Sequence, residues 1–333
     1  MNCPYGRTVV VLPMKTSDTL IFLDAGSVDY GDVSFRAFQR LGRFKAFYKT
    51  SPAQIIQRSK NATHILTNKC VFSETVLKAL PKLRGIHLSA TGFNNIDIEA
   101  ARQLGIAVTN VRGYSTESVV QMTFAFILNL ATGMMDLHKA ARDGRWSRAP
   151  FFTLSNARIS EVCGKTLGLI GYGTIGKRVA EVARVFGMKV QAAAIPGRKY
   201  GAGPRRISLD KLARTSDYIS IHAPLTPLTK GLIDARFLRK MKKDACLINM
   251  ARGGIVVEGD LIQALKTRKI AGAALDVLVT EPPRANDPVL KAPRLILTPH
   301  AAWASIEARR RVVGEMALNI RAFQEGRQRS RVV

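Results

Sequence analysis

A turn of three spaced glycines sits in the middle of this 333-residue chain, and it leaves little choice of fold around it. The run 165–170 is apolar, Gly171–Gly176 reads GYGTIG, and 177–187 carries apolar residues at helical spacing. A second apolar run over 188–193 closes a βαβ unit. Each glycine has a steric task. Gly171 permits the tight turn, Gly173 lets the backbone approach a pyrophosphate, and Gly176 lets the helix pack close to the strand. A pyrophosphate placed there sits on the free N–H groups and positive end of the helix. Gly171, Tyr172, Gly173, Thr174, Ile175 and Gly176 are therefore expected to bind a dinucleotide.

The same alternation of strand and helix runs through the rest of the chain. Before the turn, apolar runs at 20–23, 44–48, 64–67, 85–88 and 106–109 are separated by helix-like segments at 34–41, 52–58 and 74–80. A long amphipathic stretch, 118–135, leads toward the turn, and the loop-like 144–150 carries Trp146. After the turn, runs at 218–222, 246–249, 272–276 and 295–298 read as buried strands, with helix-like segments such as 260–267 between them. The fold class expected is α/β, with two doubly wound parallel-sheet domains. A Rossmann domain would span 111–300. A smaller flavodoxin-like domain would be discontinuous, 20–110 plus 301–333, because the last helix (305–324) folds back onto it. Residues 1–19 are expected to be an extension.

Composition narrows the function classes. Hydrophobic residues make up 47% and charged residues 23%, as in ordinary soluble domains. No apolar run approaches the roughly 18–20 residues of a transmembrane helix, and Val9–Pro13 is too short for a secretory core. Cys3, Cys70, Cys163 and Cys246 are scattered without metal-ligand spacing. They imply free buried thiols, no metal site and a reducing, cytoplasmic setting. The net charge of +27 is unusual. Its clusters at 198–199, 205–206, 236–243, 309–311 and 327–331 lack interleaved aromatics and read as a solvated basic surface that draws small anions.

On an open parallel sheet, ligands bind outside the carboxyl ends of the strands. Four polar residues stand there: Arg252, Asp276, Glu281 and His300. An arginine, a carboxylate and a histidine at successive strand ends suit reduction of a 2-keto acid. Arg252 grips the substrate carboxylate and polarises the carbonyl. His300 protonates the carbonyl oxygen as hydride reaches carbon. Glu281 bonds the other ring nitrogen, fixing the tautomer and favouring the imidazolium.

The segments 171–176, 222–226 (HAPLT), 248–254 (INMARGG), 275–282 (LDVLVTEP) and 298–301 (TPHA) resemble the D-specific 2-hydroxyacid dehydrogenases in order and spacing. Within that family, 90–97 (ATGFNNID) and 298–305 look most like the glycerate dehydrogenase (hydroxypyruvate reductase) branch. The resemblance implies Arg252, Glu281 and His300 as the catalytic trio, with Asp276 near the nicotinamide carboxamide. It implies that Ala90, Thr91 and Gly92 hold the substrate carboxylate through backbone N–H groups. It also implies cofactor contacts from His222, Pro224, Thr229 and Ala251, and a homodimer joined through its cofactor domains.

This chain departs from the family at three points. Ala194 stands where an acidic residue often ends the second strand of the cofactor unit, followed by Arg198 and Lys199 in a Pro-Gly loop. Nothing there repels a 2′-phosphate, so NADP(H) is expected to serve at least as well as the alternative, NAD(H), with Arg198 reading the phosphate. Arg112 replaces a usual proline and Val257 a usual aspartate, both near the active face. The fold also serves binding proteins, including corepressor-like proteins that associate with nucleic acid. Intact Arg252, Glu281 and His300 favour the enzyme, and net charge alone favours the binder. Expected partners are a small anionic 2-keto or 2-hydroxy acid and a second copy of the chain, with no sequence-specific nucleic acid and no membrane.

Overall fold

Residues 17–154, 159–200 and 205–333 are described by the structure, a computed structural model. Cys3, the 9–13 run and most of the expected 1–19 extension lie outside the described residues. The chain divides into two compact units, one of residues 1–114 and 306–333, the other of residues 115–305.

The first unit contains Thr19–Phe22 (β1), Arg43–Ala46 (β2), His64–Thr67 (β3), Gly85–Leu88 (β4) and Ala107–Thr109 (β5). All pair in parallel, in the order β2-β1-β3-β4-β5. This is the flavodoxin-like arrangement, in which short helices carry each strand back to the same starting edge. Ile65, Leu77, Ile86 and Leu88 form its core with Phe72. The chain end joins the sheet: Val108 donates to the Val333 carbonyl and Val332 donates to that of Val108.

The second unit contains Thr166–Ile170 (β6), Lys189–Ala194 (β7), Arg206–Ser208 (β8), Tyr218–Ile221 (β9), Cys246–Asn249 (β10), Gly272–Leu275 (β11) and Leu295–Leu297 (β12). They form one parallel sheet in the order β12-β11-β10-β9-β6-β7-β8. The chain runs outward from β6 to β8, then returns to the other side of β6 at β9. That reversal is the switch point where a doubly wound sheet opens a crevice. Separate apolar clusters cover the two faces, which is why the strands read as continuous apolar runs.

Several expectations need correction. The unit boundaries fall at 114 and 305, not at 110 and 300. Val111 N–H bonds the Ala90 carbonyl and Arg311 bonds that of Tyr114, keeping 111–114 with the first unit. Ala301 and Ala302 donate to the Asp276 carboxylate, keeping 301–305 with the second. The 118–135 stretch is two helices, Thr116–Thr132 and Met134–Arg142, which meet at 60° about Gly133. Gly133 has φ of 65°, and its N–H caps the first helix on Asn129. Among the described residues no single helix is long and apolar enough to cross a membrane. Cys70 and Cys246 are buried, but Cys163 is exposed. The basic clusters are not uniformly solvated either. Arg309 is buried, paired with both oxygens of Asp32 and stacked on Tyr30.

Candidate active site

The glycine turn joins β6 to the Thr174–Val185 helix, directly at the switch point. Gly171 has φ of 102°, and a Cβ there would lie 2.5 Å from the His222 carbonyl carbon. A Cβ on Gly176 would lie 2.2 Å from the Gly171 carbonyl oxygen. A Cβ on Gly173 would meet nothing within 4 Å. Two glycines are thus demanded by the protein's own packing, and the third faces open space. Beside that space the first N–H groups of the helix lack intrahelical acceptors. The residues present therefore fit a dinucleotide pyrophosphate.

Among the other expected cofactor residues, Arg198, His222 and Pro224 line a cleft of about 120 Å³ together with the turn. His222 is held neutral by burial, which brings its pKa to about 4. Its Nε2 meets the Ser220 hydroxyl at 2.8 Å, and its buried Nδ1 has no partner among the described residues. Ile175 packs into the core beneath the turn, so its backbone is what it can offer a ligand. Thr229 is buried, with its hydroxyl bonded to the Pro224 carbonyl and to Thr226 N–H. Through these bonds Thr229 shapes the Pro224 loop beside the cleft.

At the far side of the crevice, β10, β11 and β12 bring the catalytic candidates to one sheet edge. Imidazole Nδ1 of His300 lies 2.7 Å from Glu281 Oε2. Glu281 Oε1 accepts from Leu278 N–H at 2.9 Å, which aims the carboxylate at the ring. Both side chains keep about a third of their surface open to solvent, so Nε2 is left to face a ligand. His300 has φ of 51°, a left-handed conformation unusual for a non-glycine residue. Asp276 explains why it persists. The Asp276 carbonyl accepts from His300 N–H at 2.8 Å, and its carboxylate accepts from Thr298 Oγ1, Ala301 N–H and Ala302 N–H. Burial pushes the Asp276 carboxyl above the ordinary carboxylate range, while these donors oppose that shift.

Arg252 is exposed and lies beyond Asn249, the last residue of β10. Its Nη1 donates to the Ala251 carbonyl at 2.7 Å. Sequence reading missed two residues that build this corner. Asn249, fully buried, accepts from Ala251 N–H and donates to the Arg252 carbonyl, closing the Arg252 turn. Glu258 accepts from Val279 N–H at 2.7 Å and ties down the loop that carries Glu281. The signal for Asn249 was present, a polar residue ending a buried apolar strand. Val257 caps the Glu258–Lys266 helix without a side-chain hydrogen bond, the contact an aspartate there would supply.

Ala90, Thr91 and Gly92 belong to the first unit, at the carboxyl end of β4. Thr91 donates its hydroxyl to the Val111 carbonyl, and Asn110 holds the Thr91 carbonyl. The backbone N–H groups of all three have no protein acceptor among the described residues. Arg112 is exposed in the same unit.

Residues 124–302 match the family model described as D-isomer specific 2-hydroxyacid dehydrogenase, NAD binding domain. The chain is 37% identical to a glycerate dehydrogenase of Methylorubrum extorquens, over 92% of this chain and 96% of the relative. It is 33% identical to a hydroxypyruvate reductase of Blautia hydrogenotrophica, over 92% and 97% of the two chains. Its fold superposes with a TM-score of 0.80 on an NADPH-dependent glyoxylate/hydroxypyruvate reductase from Sinorhizobium meliloti, at 26% identity, covering 95% and 98%. With the glycine turn at the switch point and the Glu281–His300 pair at the same sheet edge, these matches make the chain a member of the D-isomer specific 2-hydroxyacid dehydrogenase family.

Proposed function

We propose that the protein reduces a small 2-keto acid of the hydroxypyruvate or glyoxylate type to the D-2-hydroxy acid, and catalyses the reverse oxidation. The observation that carries this reading is the 2.7 Å Glu281–His300 contact, which fixes one ring nitrogen and frees the other for a substrate oxygen. A bound nicotinamide coenzyme supplies hydride to the carbonyl carbon, or takes it in the reverse direction. His300 Nε2 delivers a proton to the carbonyl oxygen, and Glu281 offsets the ring's charge throughout. Arg252 supplies a guanidinium fork for the carboxylate and lowers the cost of negative charge on the carbonyl oxygen. Asp276 holds the His300 loop and offers its remaining carboxylate capacity to the carboxamide.

NADPH serves at least as well as NADH in this reading. β7 ends in Ala194 with no carboxylate to reject a 2′-phosphate, and Arg198 lines the adjoining cleft. Pairing of two copies through the cofactor units is favoured by the exposed apolar side chains of Met134, Met135, Trp146, Phe151 and Phe152, the last 91% exposed. Free thiols at Cys70, Cys163 and Cys246 suit a cytoplasmic setting. The +27 charge concentrates anionic substrates, and nucleic-acid contacts made by it are salt-labile and without sequence preference. Chiral analysis of the product from hydroxypyruvate tests the reading: D-glycerate alone is expected, and L or racemic product contradicts it.

A further inference from the structure

Arg206 opens the short edge strand β8, in register with Ala192 of β7. Sequence reading placed it among solvated basic residues, and the structure corrects that by half-burying it. Its guanidinium lies 4.2 Å from the centre of the Tyr200 ring and 5.8 Å from that of Tyr172, the second residue of the glycine turn. Arg198 approaches the same Tyr200 ring at 5.6 Å. The Tyr200 hydroxyl accepts from Ile195 N–H at 2.6 Å, so the ring is anchored just beyond β7. Neither guanidinium has a carboxylate partner among the described residues.

Two cations gathered on one ring repel each other, and stacking offsets only part of that cost. Arg206 lays a face on the ring, and among the described residues neither guanidinium has a hydrogen-bond acceptor, which leaves edge N–H groups able to receive a tetrahedral oxyanion. The place matters as much as the charge. Arg198, Tyr200 and Arg206 line one cleft with Gly171, Gly173 and His222. When the glycine turn takes the pyrophosphate, the adenosine ribose falls toward the end of β7, beside this cleft.

We propose that Arg206 is a specificity-determining residue, which with Arg198 and the shared Tyr200 ring forms a cradle for a phosphate on the coenzyme ribose. Arg206 is the firmer of the two readers, because it is half-buried between two rings while Arg198 is exposed on a loop. The proposal rests on the coenzyme reading of the glycine turn and adds a residue and a ligand group to it.

Calorimetric titration of the full-length protein with adenosine 2′,5′-bisphosphate and with adenosine 5′-diphosphate tests it without turnover. The parent is expected to bind the bisphosphate more tightly. Arg206→Ala should lose about 10–100-fold in bisphosphate affinity and keep its affinity for the diphosphate, and Arg198→Ala should lose less. Arg206→Lys keeps the charge and the apolar stem, so it guards against a folding defect. It should lose selectivity while still binding the diphosphate. Equal weakening of both ligands by Arg206→Ala and Arg206→Lys would show that Arg206 shapes the turn instead, and would overturn the proposal. A parent that binds both ligands alike would overturn it while leaving the coenzyme reading intact. Binding of neither ligand would remove both.

Discussion

Gly253 lies so close to Leu278 that a Cβ on it would fall 2.0 Å from the Leu278 carbonyl carbon. Through that contact the loop that presents Arg252 rests directly on the loop that presents Glu281. Two side chains on different strand connections are thereby held at a fixed spacing by a position where only hydrogen fits. Replacement of Gly253 by Ala must push the two loops apart. We expect it to cost about 1–3 kcal/mol of stability. Because a displacement near 1 Å of a catalytic group costs about 10²-fold in rate, kcat/KM should fall by that order. Denaturant unfolding and steady-state kinetics on the variant check both; parental values would show that the loops are not locked here.

Arg252→Lys isolates the fork from the charge. Lysine keeps the positive charge but donates from a single point, so it cannot hold a carboxylate through two parallel bonds. The KM for the keto acid should rise about 10–100-fold with coenzyme affinity unchanged. An unaltered KM would take Arg252 out of substrate binding.

Much of this site was legible from local pattern. The glycine turn, the strand ends and the Arg252, Glu281 and His300 motifs are short-range features, and the structure puts them on the elements expected. What was not legible depends on distant partners. Arg309 reads as part of a solvated basic run until Asp32, 277 positions away in sequence, pairs with it. Arg206 gains its meaning only when β8 aligns with β7 and sets it on Tyr200. Asn249 and Glu258 are ordinary residues in sequence; their hydrogen bonds to the turns of neighbouring loops exist only in the folded sheet. Gly133 looks like a tolerable glycine in a helix, and its left-handed φ makes it an end instead.

Two buried histidines, His64 and His87, and the half-buried His222 shape the acid side of the stability profile. His64 Nδ1 meets His87 Nε2 at 3.1 Å, and His87 Nδ1 meets Thr109 Oγ1 at 2.8 Å, across β3, β4 and β5. Burial brings His64 to about 4 against the opposing pull of Asp18, and holds His87 well below the ordinary 6.5 with help from His64. His222 is likewise near 4. All three folded values lie below the unfolded one, so the unfolded chain takes up protons first as pH falls. Their stabilising contribution is full above pH 6.5 and is lost on descent toward pH 4, by up to about 1.4 kcal/mol per pH unit for each histidine. Unfolding free energy measured from pH 7 to 4.5 should show this fall, and His87→Gln should make it shallower by about one proton. A flat profile would mean these rings are not neutral in the folded protein.

In the proposed reaction the Glu281–His300 pair delivers a proton to a 2-keto acid as hydride arrives. The most direct measurement follows nicotinamide absorbance when hydroxypyruvate or glyoxylate is added to the parent protein and to His300→Ala, with NADPH and with NADH. The parent should oxidise the coenzyme only when keto acid is present, at least as well with NADPH. His300→Ala should still bind coenzyme and lose about 10²–10⁴-fold in kcat. A parent that oxidises neither coenzyme with either keto acid, or a His300→Ala variant that turns over like the parent, would contradict the claim.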